Sequence, residues 1–336
     1  MTRKLLFGIN IVALMLLLLS FLVPLVAPDQ FPVLSLLSLL TLPVIGVNAV
    51  FAVYWLIRWD RRFFLSALLL FLAHMYFGPF ILGRKNDKTR DNQGIKVLSH
   101  NVHLFDKYAD GSTQQKMVQE YEQMLSSQQP DILCLQEYTS THGVDFSQYP
   151  YQYIYFNPPF KLMGQAILSR YPIVNRGSLD FKETANNVIY ADLLMGQDTL
   201  RVYNVHLQSI GINPTENIAD QGGAERIKTR ISTTFIKQQH QVKELLRHMA
   251  TTEHLKIMAG DFNNTAFSSV YREIRARFQD AYQKQGHGLG ATYHFNGLPL
   301  RIDFIFTEPE LEVLDFETLD KSLSDHLPII TEFKRP

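Results

Sequence analysis

Residues 257–263 read Ile257-Met258-Ala259-Gly260-Asp261-Phe262-Asn263. A short apolar run of this kind predicts a buried strand, and this one ends on a glycine, a carboxylate and an amide. The same grammar recurs along the chain. Val97-Leu98-Ser99-His100-Asn101 ends in an amide, and Ile132-Leu133-Cys134-Leu135-Gln136-Glu137 in a carboxylate. Val202-Tyr203-Asn204-Val205-His206 ends in an imidazole. Arg301-Ile302-Asp303-Phe304-Ile305-Phe306 carries an Asp within a strand, and Ser324-Asp325-His326-Leu327-Pro328 precedes the last apolar run. Any one of these polar residues alone is best read as a turn former or a satisfied core histidine. As a set they supply carboxylates, amides and imidazoles at strand ends.

Around these anchors the pattern alternates strands and helices. Strands are expected at Ile95–Ser99, Asp131–Leu135, Tyr151–Phe156, Gln165–Leu168, Val188–Leu194, Leu200–His206, Lys256–Ala259, Arg301–Thr307 and Leu327–Phe333. Helices are expected at Gln115–Ser127, 224–250 and Ser268–Arg277. Strands in adjacent pairs and strands after helices together predict a mixed α/β layered domain over 95–336, a normal domain size. There is no internal repeat.

The 336 residues include 46% apolar and 19% charged, and 32 basic residues balance 32 acidic ones. That composition excludes a disordered chain, and a single cysteine, Cys134, excludes a disulfide scaffold. Residues 1–90 hold nine Lys/Arg against three Asp/Glu, leaving 91–336 with 23 against 29. The first part therefore carries +6 and the rest −6.

The first 82 residues differ in texture as well. Leu5–Ala27, Val33–Ile57 and Phe63–Leu82 are uncharged runs of 23, 25 and 20 residues. About 20 apolar residues span a bilayer core, so three transmembrane helices are expected, at about 5–27, 33–57 and 63–82. Arg3 and Lys4 before the first run also suit a cleaved signal peptide, but two further runs favour spans. His74 is expected to pack among the helices. Arg3, Lys4, Arg58, Arg61 and Arg62 place the N-terminus and second loop in the cytoplasm by the positive-inside rule, which leaves the rest of the chain outside. Arg84, Lys85, Lys88 and Arg90 run against that orientation. Residues 83–94 are polar, lack an apolar period and read as a linker.

The strand-end set is rich in oxygen and contains no cysteine ligand, which suits Mg²⁺ or Mn²⁺ over structural zinc. Phosphoester hydrolysis needs a cation to neutralise the phosphate, a base for water and donors for the developing charge. In the order N … LQE … GQAILSR … NVHL … GDFN … RIDFIF … SDHLP, the chain from about Ile95 onward resembles the endonuclease/exonuclease/phosphatase superfamily, which includes deoxyribonucleases and neutral sphingomyelinases. The three-span arrangement is similar to membrane-anchored bacterial members.

The resemblance implies a four-layer α/β/β/α sandwich of two mixed sheets with outer helices. It implies Glu137, Asn101 and Asp325 at a Mg²⁺ site (Mn²⁺ possible), and Asp261, Asn263, His326, Asp303 and His206 as catalytic groups. Asp303 would hold His326, and Asp261 or His326 would be the base. Asn263, His206 and Asn204 would contact substrate. The usual acidic partner of His206 is not evident, and Thr184-Ala185-Asn186-Asn187 offers amides instead. GQAILSR reads as a strand and turn, without a catalytic Arg170. Tyr293 and His294 would either border the substrate or pack a loop. Tyr155–Phe160 offers apolar residues for lipid or for ordinary packing.

The expected function is a metal-dependent phosphoesterase in a bacterial inner membrane, with its catalytic domain on the periplasmic side. Its partners would be the lipid bilayer and a phosphate ester, lipid or nucleic acid. The negative balance of 91–336 gives no basic groove for a polyanion, so a lipid head group is preferred over DNA. A membrane-tethered nuclease is the alternative, and a non-catalytic scaffold the remaining one.

Overall fold

A computed structural model describes residues 3–83, 94–106, 111–141, 143–158, 162–211, 223–321 and 323–336. Residues 84–93 of the expected linker, and Pro159 and Phe160 of the Tyr155–Phe160 stretch, lie outside the described residues. The chain divides into two compact units. One is Leu82–Thr215, His240–Asn263 and Ile274–Pro336; the other is Met1–Ile81 with Glu216–Gln239 and Asn264–Glu273.

The larger unit holds two mixed six-stranded sheets. In the first, β1 (Ile95–Asn101) and β2 (Ile132–Tyr138) run parallel, joined through α5 (Gly111–Gln128). Beyond β2 lie β4 (Gly164–Ser169) and β3 (Tyr151–Tyr155); beyond β1 lie β14 (Ile329–Lys334) and β13 (Glu312–Thr318). In the second, β7 (Asp198–His206) and β8 (Leu255–Asp261) run parallel, joined through α6 (Gly223–Met249). The sheet continues through β6 (Val188–Met195) and β5 (Ile173–Ser178) on one side. On the other lie β12 (Asp303–Thr307) and β9 (Gln279–Asp280). Parallel neighbours need such helical crossovers, which puts helices outside the sheets.

Strand alternation explains the layering. Val97, Cys134 and Ile167 of the first sheet share one core with Ile189, Val202, Ala259 and Ile305 of the second. The alternate residues Leu98, Leu133 and Leu135 turn the other way and pack with Met117, Tyr121 and Leu125 of α5. The expected sandwich of two mixed sheets with flanking helices is the fold observed.

The smaller unit contains α1 (Arg3–Ser20), the short α2 (Pro32–Ser35), α3 (Leu37–Ile57) and α4 (Phe63–Phe77). To these are added the start of α6 and α7 (Ser269–Arg275). Its polarity is inverted. Val50, Phe64 and Phe71 are exposed, whereas Asn10, Asn48, Ser38 and Ser66 are buried. Asn10 joins three helices: its Nδ2 donates to Ser66 Oγ (3.0 Å), and its Oδ1 accepts from Trp55 Nε1 (2.9 Å). His74 is exposed, contrary to the expected packing among helices.

Among the described residues two stretches, Arg3–Leu25 and Leu37–Ile57, are long and apolar enough to cross a membrane. The third run departs from its sequence reading. The helix stops at Phe77, where Gly78 (φ 84°) closes it with its N–H on His74 O, and Pro79 follows. Fifteen residues give about 22 Å, short of a bilayer core of about 30 Å. Leu82, the last residue of that apolar run, exchanges two backbone hydrogen bonds with Gly288 in the larger unit.

Sequence reading also passed over β5, β9, β13 and α8 (Ala281–Gln285), which are short or half exposed and show no clear period.

Gly260 is the tightest joint in the second sheet. Its φ is +154°, and a Cβ there would lie 1.9 Å from Val205 O. Gly260→Ala should cost at least about 3 kcal/mol, because backbone overlap adds to overpacking. A thermal melt should fall by about 6–12 °C; an unchanged melt would contradict the close approach.

Candidate active site

Register brings the polar strand ends together. In the second sheet His206 of β7 pairs with Asp261 of β8, and Asp261 pairs with Asp303 of β12. One row thus carries imidazole, carboxylate and carboxylate. In the first sheet Asn101 of β1 pairs with Gln136 of β2, and Glu137 follows. The β2–β4 register slips between Leu135 and Tyr138, and Glu137 takes φ 51°. A bulge re-aims a side chain in this way, and a non-glycine residue at positive φ marks strain held by its surroundings.

The centre is Asp261 Oδ2. Asn101 Nδ2 and Asn263 Nδ2 each donate to it at 3.1 Å. His206 Nε2 and His326 Nε2 each lie 3.8 Å away. The other oxygen, Oδ1, accepts the Asn263 N–H at 2.8 Å. Asn101 Nδ2 also reaches Glu137 Oε1 (3.2 Å), and Asn101 Oδ1 accepts the His103 N–H (3.2 Å). One amide therefore bridges two carboxylates.

His326 is held from behind. Its Nδ1 lies 2.9 Å from Asp303 Oδ2. Ser324, which sequence reading passed over, ties this histidine to β1: its Oγ accepts the His326 N–H (3.0 Å) and donates to Asn101 O (2.7 Å). His100 Nε2–H donates to His326 O at 3.1 Å. Burial pushes His100 down to about 4, so it stays neutral. Both residues lie inside quoted motifs, SHN and SDHLP, and only the fold shows that they meet.

Electrostatics divides the two central groups. Burial raises Asp261 above the carboxylate range, opposed by the neighbouring His326. Burial lowers His326, but the Asp303 and Asp261 carboxylates outweigh it and the net shift is upward. The protonated imidazole is thus the favoured form. Burial lowers His206, partly offset by Glu137.

The cation question can be put to these atoms. Asp261, Asp303 and His326 offer ligand atoms within 4.8 Å of one another, with His326 Nδ1 already engaged by Asp303. Glu137 and Asp261 form the better pair. His206 Nε2 is buried without a hydrogen-bond partner and sits 3.8 Å from both Glu137 Oε1 and Asp261 Oδ2. An orphaned buried nitrogen facing two carboxylates, with an amide already drawn between them, fits a divalent cation or a phosphate oxygen.

Other expected residues go elsewhere. Asp325 is exposed, and its charge is felt by His326 and Tyr293. Asn204 is not free to meet substrate. It is fully buried between the sheets; its Nδ2 donates to Leu135 O (2.8 Å) and Ala166 O (2.9 Å). Its Oδ1 accepts from Gln136 Nε2 (2.6 Å) and Gln165 Nε2 (3.4 Å). Asn204 and His206 share one face of β7; His206 stands at the strand's end, and Asn204 lies two residues inside the covered sheet. The acids near His206 are the shared Glu137 and Asp261, each 3.8 Å from its Nε2, and its backbone N–H donates to Asn187 O (2.9 Å). Arg170 is exposed against Asp131. Tyr293 belongs to a hairpin of β10 (Tyr293–Phe295) and β11 (Leu298–Leu300), and its ring lies 4.8 Å from that of His326. His294 is exposed.

Comparisons with known proteins agree with the fold. Residues 98–326 match the Endonuclease/Exonuclease/phosphatase family. The chain belongs to that family and is a metal-dependent phosphoric ester hydrolase. Residues 3–80 match a domain of unknown function (DUF8431). No curated protein sequence matches the chain.

Among solved structures, the endonuclease/exonuclease/phosphatase from Bacteroides vulgatus is similar, with 17% identity and TM-score 0.54 over 72% of this chain and 99% of that one. The human Nocturnin catalytic domain with bound sulfate anion has 20% identity and TM-score 0.51 over 72% and 93%. D. rerio TDP2 complexed with single strand DNA product has 16% identity and TM-score 0.52 over 72% and 99%. These likenesses support the fold.

Two outcomes follow. In Asp303→Asn, loss of the anion should lower the His326 titration by about one unit or more and kcat by about 100-fold or more. NMR of histidine-labelled protein and steady-state kinetics check this, and an unmoved His326 would remove the dyad. Asn204→Ala should lower stability by about 2–4 kcal/mol, because it strands buried partners, and leave KM within about twofold. A large rise in KM with an unchanged melt would return Asn204 to the substrate.

Proposed function

We propose that the chain is a membrane-anchored, divalent-metal-dependent phosphodiesterase whose substrate is a lipid head-group ester. The convergence of Glu137, Asn101, His206, Asn263 and His326 on Asp261 carries this reading. Glu137 and Asp261, with Asn101, would hold Mg²⁺ or Mn²⁺; Asp325 would supply outlying charge. The bound cation supplies charge neutralisation and Lewis acidity.

The residues divide the remaining work. Asp261 accepts a proton from the attacking water. The Asn263 N–H and amide fix that carboxylate's orientation. His326, held protonated beside Asp303, donates to a phosphoryl oxygen as charge builds. His206 Nε2, without a protein partner, contacts another phosphate oxygen. Water attacks in line, and the ester oxygen leaves opposite.

The anchor reading rests on the inverted polarity of the helical unit. Interior Asn and Ser with exposed Phe, Val and Leu suit a lipid surround, where polar groups must pair internally. α1 and α4 run in one sense and α3 in the other. Arg3, Arg58, Arg61 and Arg62 therefore share one end of the helices, with Arg3 paired to Asp60. The positive-inside rule puts that end in the cytoplasm; α4 leaves it in the same sense as α1 and, short as it is, would cross by local thinning of the bilayer, which puts the catalytic domain on the periplasmic side of a bacterial inner membrane. The −6 balance of 91–336 disfavours a polyanion, and tethering raises the effective concentration of a lipid substrate.

Full-length protein in detergent with Mg²⁺ should release head groups from mixed phospholipid and sphingophospholipid. The activity should vanish with EDTA and fall about 1,000-fold or more in Asp261→Ala. Nicking of supercoiled DNA with the same dependence, and untouched lipid, would make the protein a tethered nuclease.

A further inference from the structure

The residue after Asn263 does not behave as the start of a surface loop. Asn264–Glu273 is built into the helical unit, and Asn264, Thr265 and Ser268 are all buried. Loops are normally solvated because their polar groups need partners. Here the partners are the apolar helices. Asn264 Oδ1 accepts the Thr265 N–H (2.9 Å) and lies 3.3 Å from Ser38 Oγ of α3, a hydroxyl that also reaches Ser35 O at 2.7 Å. Asn264 Nδ2 donates to Gln238 Oε1 of α6 at 2.8 Å. Thr265 Oγ1–H donates to Ser38 O at 2.8 Å.

Two further contacts reach the other helices. The Phe267 ring stands edge-on to Phe77, at the end of α4, with centroids 5.1 Å apart. Arg272 donates to Pro24 O, just beyond α1, at 3.3 Å. Residues at the ends of α1 and α4 and the start of α3 thus all grip one short segment. That segment is joined by a single peptide bond to Asn263, which carries two of the donors on Asp261.

We propose that Asn264 and Thr265 are positioning residues through which the helical anchor holds the turn bearing Asp261 and Asn263. The inference rests on the assignment of catalysis to that turn. An anchor that only tethered the enzyme would have no reason to bind buried polar groups next to its reacting carboxylate. A displacement of about 1 Å at such a carboxylate can cost 100-fold in rate, so freeing the turn should act on turnover, not on substrate affinity.

The test uses full-length protein in detergent with Mg²⁺ and bis(p-nitrophenyl) phosphate, a diester that needs no membrane. Thr265→Val, which keeps shape and removes the donor, should lower kcat about tenfold or more with KM within about twofold. Thr265→Ser restores the hydroxyl and should stay within about twofold of wild-type kcat. Ser38→Ala, placed on the anchor itself, should lower kcat about threefold and serves if Thr265→Val fails to fold. Wild-type kcat in both Thr265→Val and Ser38→Ala, or loss expressed only in KM, would overturn the coupling. Asp261→Asn separates the two levels. If it is inactive while Thr265→Val turns over normally, the coupling alone fails. If Asp261→Asn keeps wild-type turnover, the catalytic assignment fails and the coupling falls with it.

Discussion

Three carboxylates, Glu137, Asp261 and Asp303, are gathered at the ends of neighbouring strands, and two of them are buried. Like charges so placed repel strongly in a low-dielectric setting, and each loses hydration. The surrounding structure answers that cost group by group. Asp303 is matched by His326. Asp261 takes an amide from each sheet, Asn101 from the first and Asn263 from the turn after β8. Glu137, the most solvated of the three, shares the Asn101 amide. His206 Nε2 has no hydrogen-bond partner among the described residues, and it faces the two carboxylates that share the Asn101 amide. The site is thus incomplete in charge at one spot, and that spot is where a cation and a phosphate would compensate each other.

Holding this arrangement requires the two sheets to keep their register, and a purely apolar core would do that poorly. Leucine and valine packing tolerates sliding by fractions of an ångström. Directly behind the site the core turns polar. Asn204 uses both donors and its oxygen to bind β2 and β4 from β7, while Gln136 reaches Ser99 (3.3 Å) and Asn204. Each such bond contributes about 1 kcal/mol net, so their value lies in direction more than in stability. Gln136 precedes Glu137 and Asn204 lies two residues before His206. The network fixes the strands on which two of the site's groups are mounted.

How much of this the sequence disclosed follows from range. Strand-end residues were legible because each motif is local: GDFN, LQE and SDHLP announce themselves within a few positions. The core strands were legible because buried runs lack polar interruptions. β13 and β5 were missed because half-exposed edge strands mix polar and apolar residues without strict alternation. Asn204 was misread for a geometric reason. Strand side chains alternate, so two polar residues at positions 204 and 206 look equivalent in sequence, yet only the one beyond the sheet's covered end reaches the site. The third apolar run was overextended because hydropathy does not register the glycine and proline that end the helix at Phe77.

The division of the chain was the least legible feature, because a linear reading assigns everything after the linker to one domain. Asn264-Thr265-Ala266-Phe267 carries no hydrophobic period and resembles any polar turn with one aromatic. Its partners, Ser38 and Gln238, are 226 and 26 residues away, and nothing local marks them. Chemistry does give a reason for the pairing. Helix ends leave carbonyls unsatisfied, and a bundle with an apolar exterior cannot rely on water throughout its length to satisfy them. The segment gives Pro24 O, just beyond α1, a donor from Arg272 and Ser38 O, in the first turn of α3, a donor from Thr265, while the Phe267 ring packs edge-on to Phe77. The same requirement places hydroxyls and amides inside the bundle at Asn10, Ser66 and Asn48. That this segment is one peptide bond from Asn263 is the chemical basis of the coupling proposed above.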